Sequence, residues 1–239
     1  RKCAINGQGC KRADFPGCLT GEDRLPHPEK LPQSNPHPAA KPSPGSTRTV
    51  ETVVRQFMFM KITSTQFEAL LKCPTKCYLR SRAEPGTGNE VADWLLARTT
   101  AYHAAGVKRL RQGVPQDQCL TCPSPGDLRQ AKWRLAIDVL VQTDRVESRI
   151  QALQRVPGAQ DTPAQIVPIR FYPANKLARE EKLLLGFDAL AVSEALGRKV
   201  PIGRIVHGDE QKALRANASS LAAEAGRMIE KAAALISHT

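Results

Sequence analysis

The stretch Leu135-Ala136-Ile137-Asp138-Val139-Leu140-Val141 decides the fold class. Leu135, Ile137, Val139 and Val141 recur with a period of two, which predicts a strand with one buried face. Thr143-Asp144-Arg145 links it to a second apolar run, Ile150, Ala152, Leu153 and Val156. The polar loop from Pro157 to Pro163 leads to a third, Ile166-Val167-Pro168-Ile169-Arg170-Phe171. Links this short predict three strands meandering antiparallel. Pro168 lacks a ladder donor, so its presence argues for an edge strand or a bulge.

Working toward the C-terminus, the period changes from two to the helical repeat. Leu183, Leu184, Phe187, Leu190 and Ala191 fall on one side of a helix from Ala178 to Leu196, and Gly197 ends it. Ile202–His207 reads as a fourth strand that the helix lets pair parallel, and Lys212–Ala216 as a fifth. Ser219 or Ser220 caps a last helix, Leu221–Ile236. Toward the N-terminus, Thr65 and Glu68 have capping-box spacing ahead of Phe67, Leu70 and Leu71. Pro74 interrupts that face and Cys77-Tyr78-Leu79 resumes it. A helix over Asn89–Gln112 carries the stripe Val91, Trp94, Leu95, Ala101, Val107 and Leu110, and Gly113 and Pro115 close it. Ser124-Pro125-Gly126-Asp127 caps a short helix through Trp133. The expected fold is α/β: a three-layer core with one mixed sheet, preceded by helices.

The chain has 239 residues, 41% of them hydrophobic, enough for one cored domain and a tail. Eight prolines lie between Pro16 and Pro44, with no apolar periodicity among them. Residues 1–57 are therefore expected to be a disordered Pro-rich tail, and 58–239 the domain. The tail reads either as a linker or as sequence upstream of a true start, since Met58 and Met60 directly precede the first patterned segment. No apolar run approaches the ~18 residues that span a bilayer, and no signal peptide is evident. A cytoplasmic protein with no membrane partner is the simplest expectation. The formal net charge is +12, from 35 basic and 23 acidic side chains. Residues 1–56 hold only nine of the basic and five of the acidic groups, so most of the excess belongs to the domain. Such an excess suits a polyanion such as nucleic acid.

The element order, helix-β-β-β-helix-β, resembles the PD-(D/E)XK nuclease core, a restriction-endonuclease-like fold. Specific words add to it. Lys61-Ile62-Thr63-Ser64-Thr65-Gln66-Phe67 and Lys72-Cys73-Pro74-Thr75-Lys76-Cys77-Tyr78-Leu79 resemble the opening of RecB-like nucleases, a group that includes the iron-sulfur exonucleases of CRISPR adaptation. Val167-Pro168-Ile169-Arg170-Phe171, Asn175-Lys176-Leu177, Glu181-Lys182-Leu183-Leu184-Leu185 and Gly203-Arg204-Ile205-Val206-His207-Gly208-Asp209 are similar to one bacterial RecB-like subfamily. Its members continue into a cysteine cluster and an RNase H-like half. The resemblance covers about residues 60–239 and implies a DNA partner, with a helicase or that RNase H-like continuation beside it.

The chemistry implied is metal-assisted phosphodiester hydrolysis, with carboxylates holding Mg²⁺ or Mn²⁺ and a Lys serving the attacking water. It needs an acid on the second strand and an acid-X-Lys triplet on the third. The triplet position falls at Pro168-Ile169-Arg170 and the second-strand position at Gln154. Pro offers no ligand, Arg cannot act as a base and Gln brings no negative charge. Lys182 on the following helix is the candidate substitute lysine, and Asp138, Glu147, Glu180, Glu181 or Asp188 the candidate carboxylates; the alternative reading is that they are solvated surface charges. His103 matches a helical His of some relatives but lacks their glycine three residues earlier, so it reads as an ordinary helix residue. The rival reading is the same fold without catalysis, with Arg170, Lys176, Arg179, Lys182 and Lys199 as phosphate contacts.

Seven cysteines, an odd number with no secretion signal, argue against a disulfide framework. In cluster-bearing relatives one ligand comes from the N-terminal helical region. Cys73 matches it, and an iron-sulfur cluster would then need three ligands beyond residue 239. A site complete within the chain would require Cys73, Cys77, Cys119 and Cys122 to meet.

Overall fold

The computed structural model describes residues 61–84, 86, 88–130, 132–158 and 163–237. The expected tail, 1–57, lies outside the described residues. In chain order come β1 (Ile62–Thr63), α1 (Ser64–Lys72), α2 (Pro74–Ser81), α3 (Glu90–Gln112), β2 (Cys119–Thr121), α4 (Pro125–Arg129) and β3 (Leu135–Gln142). Then follow β4 (Val146–Val156), β5 (Gln165–Tyr172), α5 (Arg179–Leu196), β6 (Ile202–His207), β7 (Lys212–Asn217) and α6 (Ala218–Ser237).

The strands form one mixed sheet in the order β2-β3-β4-β5-β6-β7, with β1 also pairing with β4. β3, β4 and β5 meander antiparallel, as their short links dictate. The crossover through α5 sets β6 parallel to β5, and β7 returns antiparallel. Helices cover both faces. Leu135, Ile137, Ala152, Ile169 and Phe171 pack against Tyr102, Val107 and Leu110 of α3. Ala136, Val139, Ile150 and Leu153 join the core with α1, α2, α5 and α6. The result is the expected three-layer α/β arrangement. Among the described residues no helix is long and apolar enough to cross a membrane.

Several local expectations are corrected. The period-two run 135–141 does not bury one face. Leu135 and Ile137 enter the α3 layer, whereas Val139 and Val141 enter the opposite one. The switch falls at Asp138, whose φ of 54° is left-handed and turns the strand over. Pro168 is neither on an edge strand nor in a bulge. It pairs with Leu153 inside the sheet, and the ladder with β6 begins one residue later at Ile169, so no bond to β6 is forfeited. Thr63, not Thr65, caps α1: its hydroxyl accepts from Gln66 N (3.2 Å) and Gln66 Oε1 accepts from Thr63 N (2.9 Å). Gln serves the capping box as well as Glu, while Glu68 pairs with Lys72 at 2.6 Å. Asn217, not a serine, caps α6 through Ser220 N. α4 stops at Arg129, short of Trp133.

α3 begins after Asn89, whose side chain accepts from Ala92 N at 2.8 Å. Its predicted stripe divides. The C-terminal half packs on the sheet, and Val91, Trp94, Leu95 and Leu96 of the N-terminal half are exposed. Gly106 allows the close approach: a β-carbon there would overlap the Phe171 ring.

Candidate functional site

On the α5 face of the sheet, Arg170 projects from β5 toward the middle of α5. Its Nε and Nη2 donate to the two oxygens of Asp188 at 2.5 and 2.8 Å. Ser148 Oγ, from β4, donates to Asp188 Oδ1 at 2.6 Å and lies 3.4 Å from Ser64 Oγ. Ser64 Oγ in turn accepts from Arg149 N at 3.0 Å. Asp188 and Ser148 are fully buried. A buried carboxylate needs a cation and hydrogen bonds to remain charged, and both are present. The fork of Arg170 is thereby committed to Asp188.

On the other face the geometry is looser. Asp138 sits on β3 in its left-handed conformation with its side chain 46% exposed, 3.8 Å from Nε2 of His103 on α3. That nitrogen is buried with no hydrogen-bond partner among the described residues. The β3–β4 register, Ile137 with Ala152 and Val139 with Ile150, sets Gln151 across from Asp138. Gln151 Oε1 is occupied, accepting from Phe171 N at 2.6 Å. Counting on from it, Ala152 and Leu153 complete a triplet, with buried Leu153 at its end.

Two openings flank this step, and α3 walls both. A groove of about 340 Å³ is lined by His103, Val107, Lys108, Arg111 and Asp138. Lys108 and Arg111 form no ion pair among the described residues. A cleft of about 540 Å³ has Arg98 and Thr99 of α3 in its wall, with Glu68, Gln151, Arg170, Tyr172 and Glu181. Burial, helped by a hydrogen bond to Glu181, raises the Tyr172 hydroxyl above its ordinary range. Burial opposes ionisation of Glu68, yet Lys72 and the guanidiniums of Arg170 and Arg80 hold its carboxyl below the usual value. The charges lining this cleft nearly balance.

The residues expected from sequence are dispersed. Gln154 accepts from Arg204 Nη1 at 3.1 Å and pairs across the ladder with Val167, away from Arg170. Pro168 is buried. Lys182 is half-buried on α5 and lines neither opening. Lys176 is exposed, and Arg179 is paired with Glu224. Asp138 and His103 are brought together. Gln151 was overlooked because the resemblance pointed to Gln154 and to the third strand; counting the hairpin register from the Thr143–Arg145 link finds it.

Cys73, Cys77, Cys119 and Cys122 are free thiols, and among the described residues no three His, Cys, Asp or Glu side chains are grouped to hold a metal ion. The four-cysteine site is therefore not assembled: Cys73 and Cys77 bracket the start of α2, and Cys119 and Cys122 lie at edge strand β2. Cys73 is exposed at the N-cap of α2. Hydrogen bonds from the Lys76 and Thr75 amides hold its thiol below the ordinary pKa, whereas burial pushes Cys77 up.

No protein-family model matches the chain, and no curated protein matches it. Among solved structures the chain is similar to one described as "Crystal structure of SSO0001", with a TM-score of 0.34 and 12% identity, covering 76% of this chain and 85% of that one. At that level the similarity identifies neither a family nor an activity.

Proposed function

We propose that residues 61–237 form a RecB-like domain of the PD-(D/E)XK type that holds DNA along α3 and lacks the ligand set for efficient cleavage. One observation carries this reading. Asp138 and His103 meet in a groove beside Lys108 and Arg111, which form no ion pair among the described residues, while Gln151 stands opposite Asp138 on β4 where an acidic ligand would serve a metal. On this reading Asp138 and Gln151 take the positions that the resemblance had assigned to Gln154 and Pro168-Ile169-Arg170, one strand earlier. Mg²⁺ or Mn²⁺ does not fit these residues well. The site offers one carboxylate and one imidazole, and the nearest amide oxygen is already bound to Phe171 N. Hard cations need several oxygen donors. The cations of α3 contact phosphates, and the domain works in the cytoplasm beside an RNase H-like continuation or a helicase.

Metal-dependent cleavage is the second reading, favoured by the proximity of His103 and Asp138. The experiment that separates the two follows fluorescent single- and double-stranded DNA by anisotropy between about 50 and 200 mM salt. It then incubates the same DNA with Mn²⁺, for wild type and Asp138→Asn. Salt-sensitive binding without cleavage is the expected result. Mn²⁺-dependent cleavage lost in Asp138→Asn would establish the second reading, and binding indifferent to salt would sink both.

A further inference from the structure

We infer that a second anion site lies at the far end of α5 from the cleft, built by Arg129, Arg155 and Arg198 to take a phosphate group. The three guanidinium-bearing residues line one cavity with Leu128, Ile166 and Leu196, and no carboxylate shares that lining. Each arginine comes from a fixed point of the fold. Arg129 ends α4. Arg155, on β4, donates to Gln130 O at 2.8 Å and lies over the Trp133 ring, 5.8 Å from its centre. Arg198 leaves α5 immediately after Gly197, whose left-handed φ of 61° redirects the chain.

None of the three forms an ion pair among the described residues. Asp127, the nearest acid in sequence to Arg129, is engaged by the amide and hydroxyl of Ser124. Lys132, Arg134 and Lys199 are exposed neighbours in sequence. Like charges gathered this way repel one another, and a bound anion relieves that repulsion. Arg is the side chain best shaped for phosphate oxygens, since its planar fork donates two parallel hydrogen bonds. The cavity is about 110 Å³, a few times the ~30 Å³ that water occupies in the liquid. It admits a phosphate. The phosphate belongs either to a nucleic-acid backbone or to a free phosphate-bearing molecule.

The test compares Arg129→Glu/Arg198→Glu with Arg227→Glu/Lys231→Glu. The second variant makes the same charge change on α6, which contributes nothing to this cavity's lining. Inorganic phosphate is followed by thermal shift against chloride of equal ionic strength, and a duplex oligonucleotide by anisotropy. The α6 variant should keep the phosphate-dependent rise in Tm and bind DNA within about twofold of wild type. The arginine variant should lose the rise, or about tenfold in DNA affinity. Loss of the phosphate response alone assigns a free phosphate ligand, and loss of DNA affinity alone assigns the phosphodiester. Equal behaviour of the two variants with both probes overturns the site. Arg129→Gln/Arg198→Gln repeats the comparison without charge reversal should the glutamates disturb folding. DNA binding that survives without this site leaves the α3 groove reading standing.

Discussion

Two aspartates on opposite faces of one sheet show opposite designs. Asp188 is fully buried and accepts three hydrogen bonds, two from Arg170 and one from Ser148. Asp138 is half-exposed, left-handed in its backbone, and 3.8 Å from a histidine nitrogen that has no hydrogen-bond partner among the described residues. A carboxylate whose valences are filled internally belongs to the fold. One that is strained and underused remains available to something outside it. This difference leaves the Arg170 fork taken by Asp188 and moves attention to α3.

The largest effect that sharpens the comparison is on stability. Asp188→Ala leaves the Arg170 guanidinium without its counter-charge beside the core, and should cost about 3–5 kcal/mol. Urea denaturation measures it. Arg170→Met together with Asp188→Leu should recover most of the loss, because an apolar pair of similar size removes both desolvation penalties. If Asp188→Ala unfolds no more easily than wild type, the network is not the structural element described above.

Next in size is the wall the two regions share. Phe171 packs against α3 at Gly106, and its ring centre lies 5.3 Å from that of His103. Gly106→Ala pushes a methyl into that ring and should destabilise by ~1–3 kcal/mol. The displacement shifts α3, which carries Lys108 and Arg111, so DNA affinity should fall with stability. Asp188→Ala should lower stability and leave the affinity of the folded fraction unchanged.

The fold was far more legible in the sequence than the site. Element order and most boundaries followed from apolar periodicity and from caps such as Asn89 and Gly197, which act locally. The site depended on a single backbone torsion. Residues 135–141 alternate so regularly that Asp138 reads as one more outward position. Its left-handed φ reverses the faces on either side, while the unbroken hairpin register sets Gln151, not Gln154, across from it. Lys182 likewise matched by word while its helix placed it outside both openings. His103 depended on how closely α3 approaches β5, which Gly106 permits and no local pattern announces. Long-range register and helix approach are tertiary properties, and the sequence carries them only in such single residues.

The charges of α3 give an intermediate effect. Lys108→Glu with Arg111→Glu should weaken duplex binding about tenfold near 100 mM salt. It should also flatten the slope of log K against log salt by roughly 2, since ~0.9 of a counterion is released per phosphate contact. Lys176→Glu, at an exposed position lining neither opening, should shift affinity by less than half as much. Reversal of that order would return the binding face to the α5 side.

The smallest expected change is also the cleanest contrast. Asp138→Gly removes a β-carbon from a left-handed position, where glycine is unstrained. Asp tolerates that conformation better than most residues, so the gain should be only ~0.5–1 kcal/mol, read as a higher urea midpoint. The same substitution removes a negative charge from the groove that Lys108 and Arg111 line. Without metal, DNA should therefore bind slightly more tightly. If Asp138 instead holds a divalent ion against the phosphates, Mn²⁺ will strengthen DNA binding in wild type and not in Asp138→Gly. Anisotropy with and without Mn²⁺ distinguishes these outcomes. The same carboxylate is an obstacle to DNA in a binding module and a tether to it in a nuclease.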